Sequence, residues 1–243
     1  MRIAVISDVH ANCVAFDAVL ADLQNQPVDS TVCLGDAIQG GPQPAQVVAR
    51  LSELACPVVM GNADAWLLTG VDTGHEAITS KQRTIREWSL SQLSDGDRAF
   101  IASFLPTVEM RLPDHRKLLC FHGSPDSFDD VIAPQAAEDE FKRFLGKYSA
   151  WILAGGHTHA QQVRRNGDNF FFNPGSVGLA YRHDQDENNF RADPWAEYAV
   201  LQIENGRMSL EFRRVPFDVQ ELVHVYRTSG RPYAEDTIRQ YQS

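Results

Sequence analysis

Five times between Ile3 and His159 an apolar run stops abruptly at Asp, Asn or His. IAVISDVHAN reaches Asp8 and His10, TVCLGD reaches Asp36, PVVMGNAD reaches Asn62 and Asp64, KLLCFHGS reaches His122, and WILAGGHTH reaches His157 and His159. Short runs of β-branched and apolar residues read as buried strands. Taken singly, each polar ending is a strand entering a turn, or a core histidine satisfied by a hydrogen bond. Repeated at the same end of every strand, they constrain the chain to an open α/β sheet, because such sheets gather ligands outside the carboxyl ends of their strands. Asp8 and His10 lie two residues apart, so on an extended backbone their side chains point the same way. An oxygen and a nitrogen donor on one face suit a divalent first-row metal, and such an ion needs further ligands from the other strand ends.

Around these strands the pattern is mixed. Residues 14–23 carry apolar side chains at helical spacing, and a second helix opens at Pro42 and runs to about Leu54. With strands at 31–34 and 57–60, this βαβαβ opening implies parallel neighbours. A helical insert is expected at about 64–104, with Ser94 and Asp97 spaced as a variant capping box. Hairpins are expected at 108–121, 162–172 and 198–214, and the segment from Asp218 onward is weakly helical. The expected fold class is α/β (α+β), with residues 1–243 as one domain: two mixed sheets face to face, flanked by helices.

Composition excludes several classes of partner. With 43% hydrophobic and 22% charged residues the chain is ordinary for a globular protein. No apolar run approaches the roughly 18 residues of a membrane span, and the first residues enter a strand directly, so no membrane partner and a cytoplasmic location are expected. The net charge of −10 argues against long nucleic acid, which calls for a basic face. Cys13, Cys33, Cys56 and Cys120 are widely spaced without a C-x-x-C and read as buried free thiols.

The order D-x-H, GD, GN-x-D, H-G and GH-x-H, spread from Asp8 to His159, resembles the calcineurin-like metallophosphoesterase superfamily. NPGSVG at 173–178 resembles its bacterial branch of small YfcE-type phosphodiesterases. The resemblance implies two divalent ions, one held by Asp8, His10, Asp36 and His159, the other by Asp36, Asn62, His122 and His157. Asp36 is the best bridge, since a carboxylate can offer one oxygen to each ion. Oxygen and nitrogen ligands without sulfur make manganese the first choice, with iron, zinc, cobalt and nickel as alternatives. Two such cations, about 3.5–4 Å apart, share a hydroxide of lowered pKa and clamp the phosphate it attacks. Asp36, Asn62 and His157 then carry catalysis on a small phosphodiester or phosphoanhydride, a nucleotide among the candidates. A protein phosphatase, a nuclease and a non-catalytic scaffold are the rival readings.

One position departs from the pattern. Where the familiar third motif has a histidine that protonates the leaving oxygen, this chain has Ala63, followed by Asp64 as a helix cap. A substrate with a good leaving group is therefore expected, or a replacement donor. His183, with Arg182 beside it as a phosphate clamp, is the candidate replacement. Asn12 is either a substrate ligand or the N-cap of the first helix. Asn173 and Ser176 are either donors to the ligating histidines or parts of a turn. Gly123 and Gly156 allow backbone to come close. His75, His115 and His224, and the four tryptophans, read as structural or exposed, with Trp195 a conceivable stacking surface for a base.

Overall fold

The computed structural model describes all residues except 73–76, 187–188 and 242–243, so His75 lies outside the described residues. Two mixed sheets form its centre. In the first, β1 (Arg2–Ile6) pairs in parallel with β2 (Ser30–Cys33) and antiparallel with β8 (Trp195–Glu204), which pairs with β9 (Arg207–Pro216). The second has five strands: β3 (Val108–Arg111), β4 (Lys117–Cys120), β5 (Ile152–Ala154), β7 (Asn169–Asn173) and β6 (Gln162–Asn166), in that order. β4, β5 and β7 run parallel, and the outer pairs are antiparallel.

Period-two alternation decides what each strand faces. Ile3 and Val5 point between the sheets, where they join Val32, Leu118, Cys120, Ile152, Ala154 and Leu201 in one core. Ala4 and Ile6 point the other way, onto Phe16 and Val19 of α1 (Cys13–Gln24) and Val47, Val48 and Leu51 of α2 (Pro44–Leu54). On the far side of the second sheet, Leu153 and Phe171 pack on Phe141 and Leu145 of α6 (Glu138–Leu145). The molecule is thus helix, sheet, sheet, helix, as expected.

The expected strand at 57–60 shrinks to single bridges, Val58 to Cys33 and Val59 to Leu105. The chain turns into a helix at Asn62, which leaves no length for a ladder. The expected insert consists of α3 (Asn62–Thr69), α4 (Ser80–Ser91) and α5 (Asp95–Ala102). Ser94 and Asp97 form the capping box reciprocally. The last segment is more helical than its sequence suggested. Its α7 (Val219–Thr228) and α8 (Ala234–Ile238) bury Leu222, Val223, Tyr226 and Ile238 against Val14 of α1. Cys13, Cys33 and Cys120 are buried free thiols, and Cys56 is only half-buried.

Candidate metal centre

All the clustered side chains stand beyond the carboxyl ends of strands, on backbone that has already left the strand. Asp8, His10, Asp36, His157 and His159 have φ values of 54°, 47°, 49°, 67° and 56°. Left-handed backbone at non-glycine residues is costly and persists only where the surroundings enforce it. Here loop-to-loop hydrogen bonds do so: Asp8 N–H donates to Gly35 O at 2.9 Å and His10 N–H to Asp36 O at 2.9 Å. The expectation that Asp8 and His10 converge along an extended strand is therefore corrected. β1 ends at Ile6, and the following turn aims both side chains inward.

The donors fall into two groups, Asp8 with His10 and His159, and Asp36 with His122 and His157. In the first, His10 Nε2 lies 3.0 Å from His159 Nε2, and Asp8 Oδ1 lies 3.3 Å from His159 Nε2 and 3.8 Å from His10 Nε2. The rings cannot turn away. His10 Nδ1 donates to Gln39 O at 2.9 Å and His159 Nδ1 to Leu179 O at 2.9 Å, which fixes the protons on Nδ1 and leaves both Nε2 lone pairs facing each other. Asp8 Oδ1 is buried with no hydrogen-bond partner, while Oδ2 accepts from Ser7 Oγ at 2.5 Å and His157 N–H at 3.2 Å.

In the second group His122 Nδ1 donates to Leu34 O at 2.8 Å, and Nε2 faces Asn62 Oδ1 at 3.0 Å and Asp36 Oδ2 at 3.4 Å. Asp36 Oδ2 also lies 4.0 Å from His10 Nε2, so this oxygen stands between the groups. Oδ1 instead accepts the Ala63 N–H at 2.8 Å, at the first turn of α3. A bridge through Asp36 thus uses one oxygen, and the expected arrangement of one oxygen per ion does not match the geometry.

Buried lone pairs that converge without donors fit divalent cations and little else. Burial opposes charge on His122, but Asp36 and Asp8 pull its pKa up to about 9, while burial and the charge of His122 push His157 down to about 4. Burial tends to raise Asp36, yet His122, His10 and His157 more than offset it and hold the carboxylate ionised.

Asp64 does not cap α3. Its carboxylate turns back to accept the Ala37 and Ile38 N–H groups, each at 2.9 Å, and so pins the turn that carries Asp36. Burial and the nearby Asp36 charge raise its pKa to about 7. Asn173 and Ser176 do not reach the imidazoles either: Asn173 Nδ2 holds Gly156 O at 2.6 Å and Ser176 Oγ holds Asp8 O at 2.8 Å. Residue type gave no clue to the imidazole partners, since every residue carries a carbonyl. Gly61 has a clear steric role: an added Cβ would fall on the Asp36 carboxylate and amide. Gly61→Ala is expected to cost about 1–3 kcal/mol and to displace Asp36. Unchanged denaturant unfolding and metal content would show that the carboxylate can move aside.

Two of the expected substrate residues do not face the cluster. Asn12 caps α1 through Oδ1 on Ala15 N–H and spends Nδ2 on Gly178 O, both at 3.0 Å. Arg182 is exposed and holds Asp184 with two bonds of 3.1 Å. His183 does approach. It stacks on Tyr181 at 4.4 Å and lines a cavity of about 300 Å³ together with His157 and Val131. A larger cavity of about 570 Å³ shares His157 and Val131 with it and is lined as well by His10, Asn62, Ala63 and the insert residues Trp66 and Ile85. Sequence reasoning missed Trp66, Gln39, Tyr181 and Arg231 as wall residues.

The fold and the two donor groups define a phosphoesterase of the metal-dependent type. The family model of the calcineurin-like phosphoesterase superfamily domain matches residues 1–206, and the chain belongs to that family. It is a hydrolase by class. It is 28% identical over 182 residues to the uncharacterized protein MJ0912 of Methanocaldococcus jannaschii, covering 73% of this chain and 70% of that one. The metallophosphoesterase of Sphaerobacter thermophilus superposes with a TM-score of 0.74 at 24% identity, over 98% of each chain. The YfcE phosphoesterase of E. coli superposes at 0.50 with 22% identity, over 90% of this chain and all 100% of its own.

Proposed function

We propose that this chain is a binuclear metal-dependent phosphoesterase that cleaves phosphodiester or phosphoanhydride bonds of a small molecule, a nucleotide among the candidates. The observation that carries the reading is Asp36 Oδ2, turned towards the imidazoles of both groups while Oδ1 is tied to Ala63 N–H. Asp8, His10, Asp36 and His159 take one ion; Asp36, Asn62, His122 and His157 take the other. Manganese remains the first choice for this donor set, ahead of iron, zinc, cobalt and nickel. When bound, such a pair supplies Lewis acidity and a water acidic enough to attack phosphorus near neutral pH.

The chain's own groups do the rest. Asn62 contributes a neutral oxygen and keeps its amide nitrogen for a phosphate oxygen. The carbonyls of Gln39, Leu34 and Leu179 hold three imidazoles in one tautomer, so no ring need reorient when substrate arrives. His157 and Val131 line both cavities, which gives the two arms of a diester separate places. With Ala63 in the proton donor's place a substrate with a good leaving group fits best, and His183 is the candidate should a donor act. We treat residues 1–243 as one domain, because β8 closes the sheet that β1 opens. No helix among the described residues is long and apolar enough to cross a membrane. A cytoplasmic location fits the free thiols, and the net charge of −10 fits a small substrate better than long nucleic acid.

Metal analysis and hydrolysis of bis(p-nitrophenyl) phosphate test the reading together. Two ions per chain with manganese-dependent turnover are expected. Two bound ions without turnover would favour the scaffold. Adding manganese at 100 times its Kd is expected to stabilise the fold by about 2.7 kcal/mol for each ion bound, read as a rise in Tm over chelator-treated protein.

A further inference from the structure

Arg231 stands in the turn between α7 and α8, beyond the residues matched by the family model, and lines the larger cavity with His10, Asn62 and His157. It is 8% exposed. Nε donates to Gly40 O at 2.6 Å, and Nη1 to Pro232 O at 3.1 Å and Thr237 Oγ1 at 3.4 Å. The Tyr226 ring lies 5.3 Å from the guanidinium carbon. Among the described residues no carboxylate lies within ion-pair distance of it, Asp236 acting on it only from farther away, and Nη2 makes no hydrogen bond. Arg213, by contrast, is paired with Asp22 at 2.9 Å. A guanidinium stays charged at any physiological pH, and burying one with no carboxylate in direct contact is costly.

Its position gives that cost a use. Gly40 O, which holds Nε, follows directly on Gln39, whose carbonyl holds the His10 ring at 2.9 Å. Arg231 is also the only lysine or arginine among the described residues lining this cavity, and Asp72 and Asp129 line it too, so an anion finds one favourable place there. We propose that Arg231 binds a second anionic group of the substrate, a phosphate or carboxylate, while the scissile phosphate sits at the two donor groups. The inference rests on the phosphoesterase reading. The apolar side chains of Trp66, Ile85 and Val131 in the same wall take the carbon skeleton joining the two anions.

The test is a calorimetric titration of the manganese-loaded protein with alkyl monophosphates, with α,ω-bisphosphates and with ω-carboxyalkyl phosphates of graded chain length. At one spacing a doubly anionic compound is expected to bind about tenfold or more tighter than the monophosphate of equal length. Which series gains tells phosphate from carboxylate. In Arg231→Gln, which keeps a donor for Gly40 O, the advantage is expected to vanish, and in Arg231→Lys part of it returns. Equal affinity for monophosphates and both doubly anionic series at every spacing would overturn the proposal in wild-type protein alone. So would an advantage that survives in Arg231→Gln. Failure of the phosphoesterase reading shows separately, as absent hydrolysis of bis(p-nitrophenyl) phosphate, and leaves the titration readable.

Discussion

Asp36→Asn is expected to lower turnover by about 10³-fold or more and to reduce the metal content from two ions per chain to one or none, since the bridge contributes several kcal/mol of charge stabilisation. The substitution is isosteric, so the loss reads the charge and the lone pairs rather than the shape. Asp36 Oδ1 accepts the Ala63 N–H, and Oδ2 stands 3.4 Å from His122 Nε2 and 4.0 Å from His10 Nε2. An asparagine that keeps its oxygen on Ala63 turns an NH₂ towards the cluster, where a cation needs a lone pair. One that flips sets a donor against the Ala63 donor. Metal analysis and steady-state hydrolysis of an aryl diester read both effects. A variant that turns over normally with two ions bound would remove Asp36 from the bridge.

The second large effect concerns the leaving group. Across a series of diesters from p-nitrophenol to simple alcohols, kcat/KM is expected to fall steeply, with about 10²–10⁴-fold of the drop reflecting the missing proton donor. Ala63 opens onto the larger cavity and has no proton to give. Ala63→His places an imidazole at that opening, yet only part of the deficit is expected to return. The carboxylate that would orient the new ring, Asp64, is committed to the Ala37 and Ile38 amides at 2.9 Å. A flat dependence on the leaving group in wild-type protein would mean that a donor already acts, and His183→Ala would then be expected to make it steep.

Much of the centre was legible because its signals are local. Continuous apolar runs marked β1, β4 and β5 as buried strands, and the structure then divided their side chains between the two faces. Donor type at a strand end told which residues could hold a cation. The insert announced itself through Ser94 and Asp97, whose capping box is a four-residue pattern. What failed was reasoning that assigned a side chain's partner from its neighbours in sequence. Asp64 looked like a helix cap and is a brace for the Asp36 turn.

The sequence by itself determined two mixed sheets with helices outside and the chemistry of seven donors, because apolar runs and ligand type are properties of short stretches. Only the tertiary structure decided how those donors are aimed. The imidazoles are set by main-chain carbonyls that carry no residue signature, and the left-handed turns that present Asp8, Asp36 and His157 are held by other loops. It also decided that Arg231 meets Gly40 across 191 residues. A contact of that separation depends on how α7 packs on α1, which is a property of the folded whole and of no segment within it.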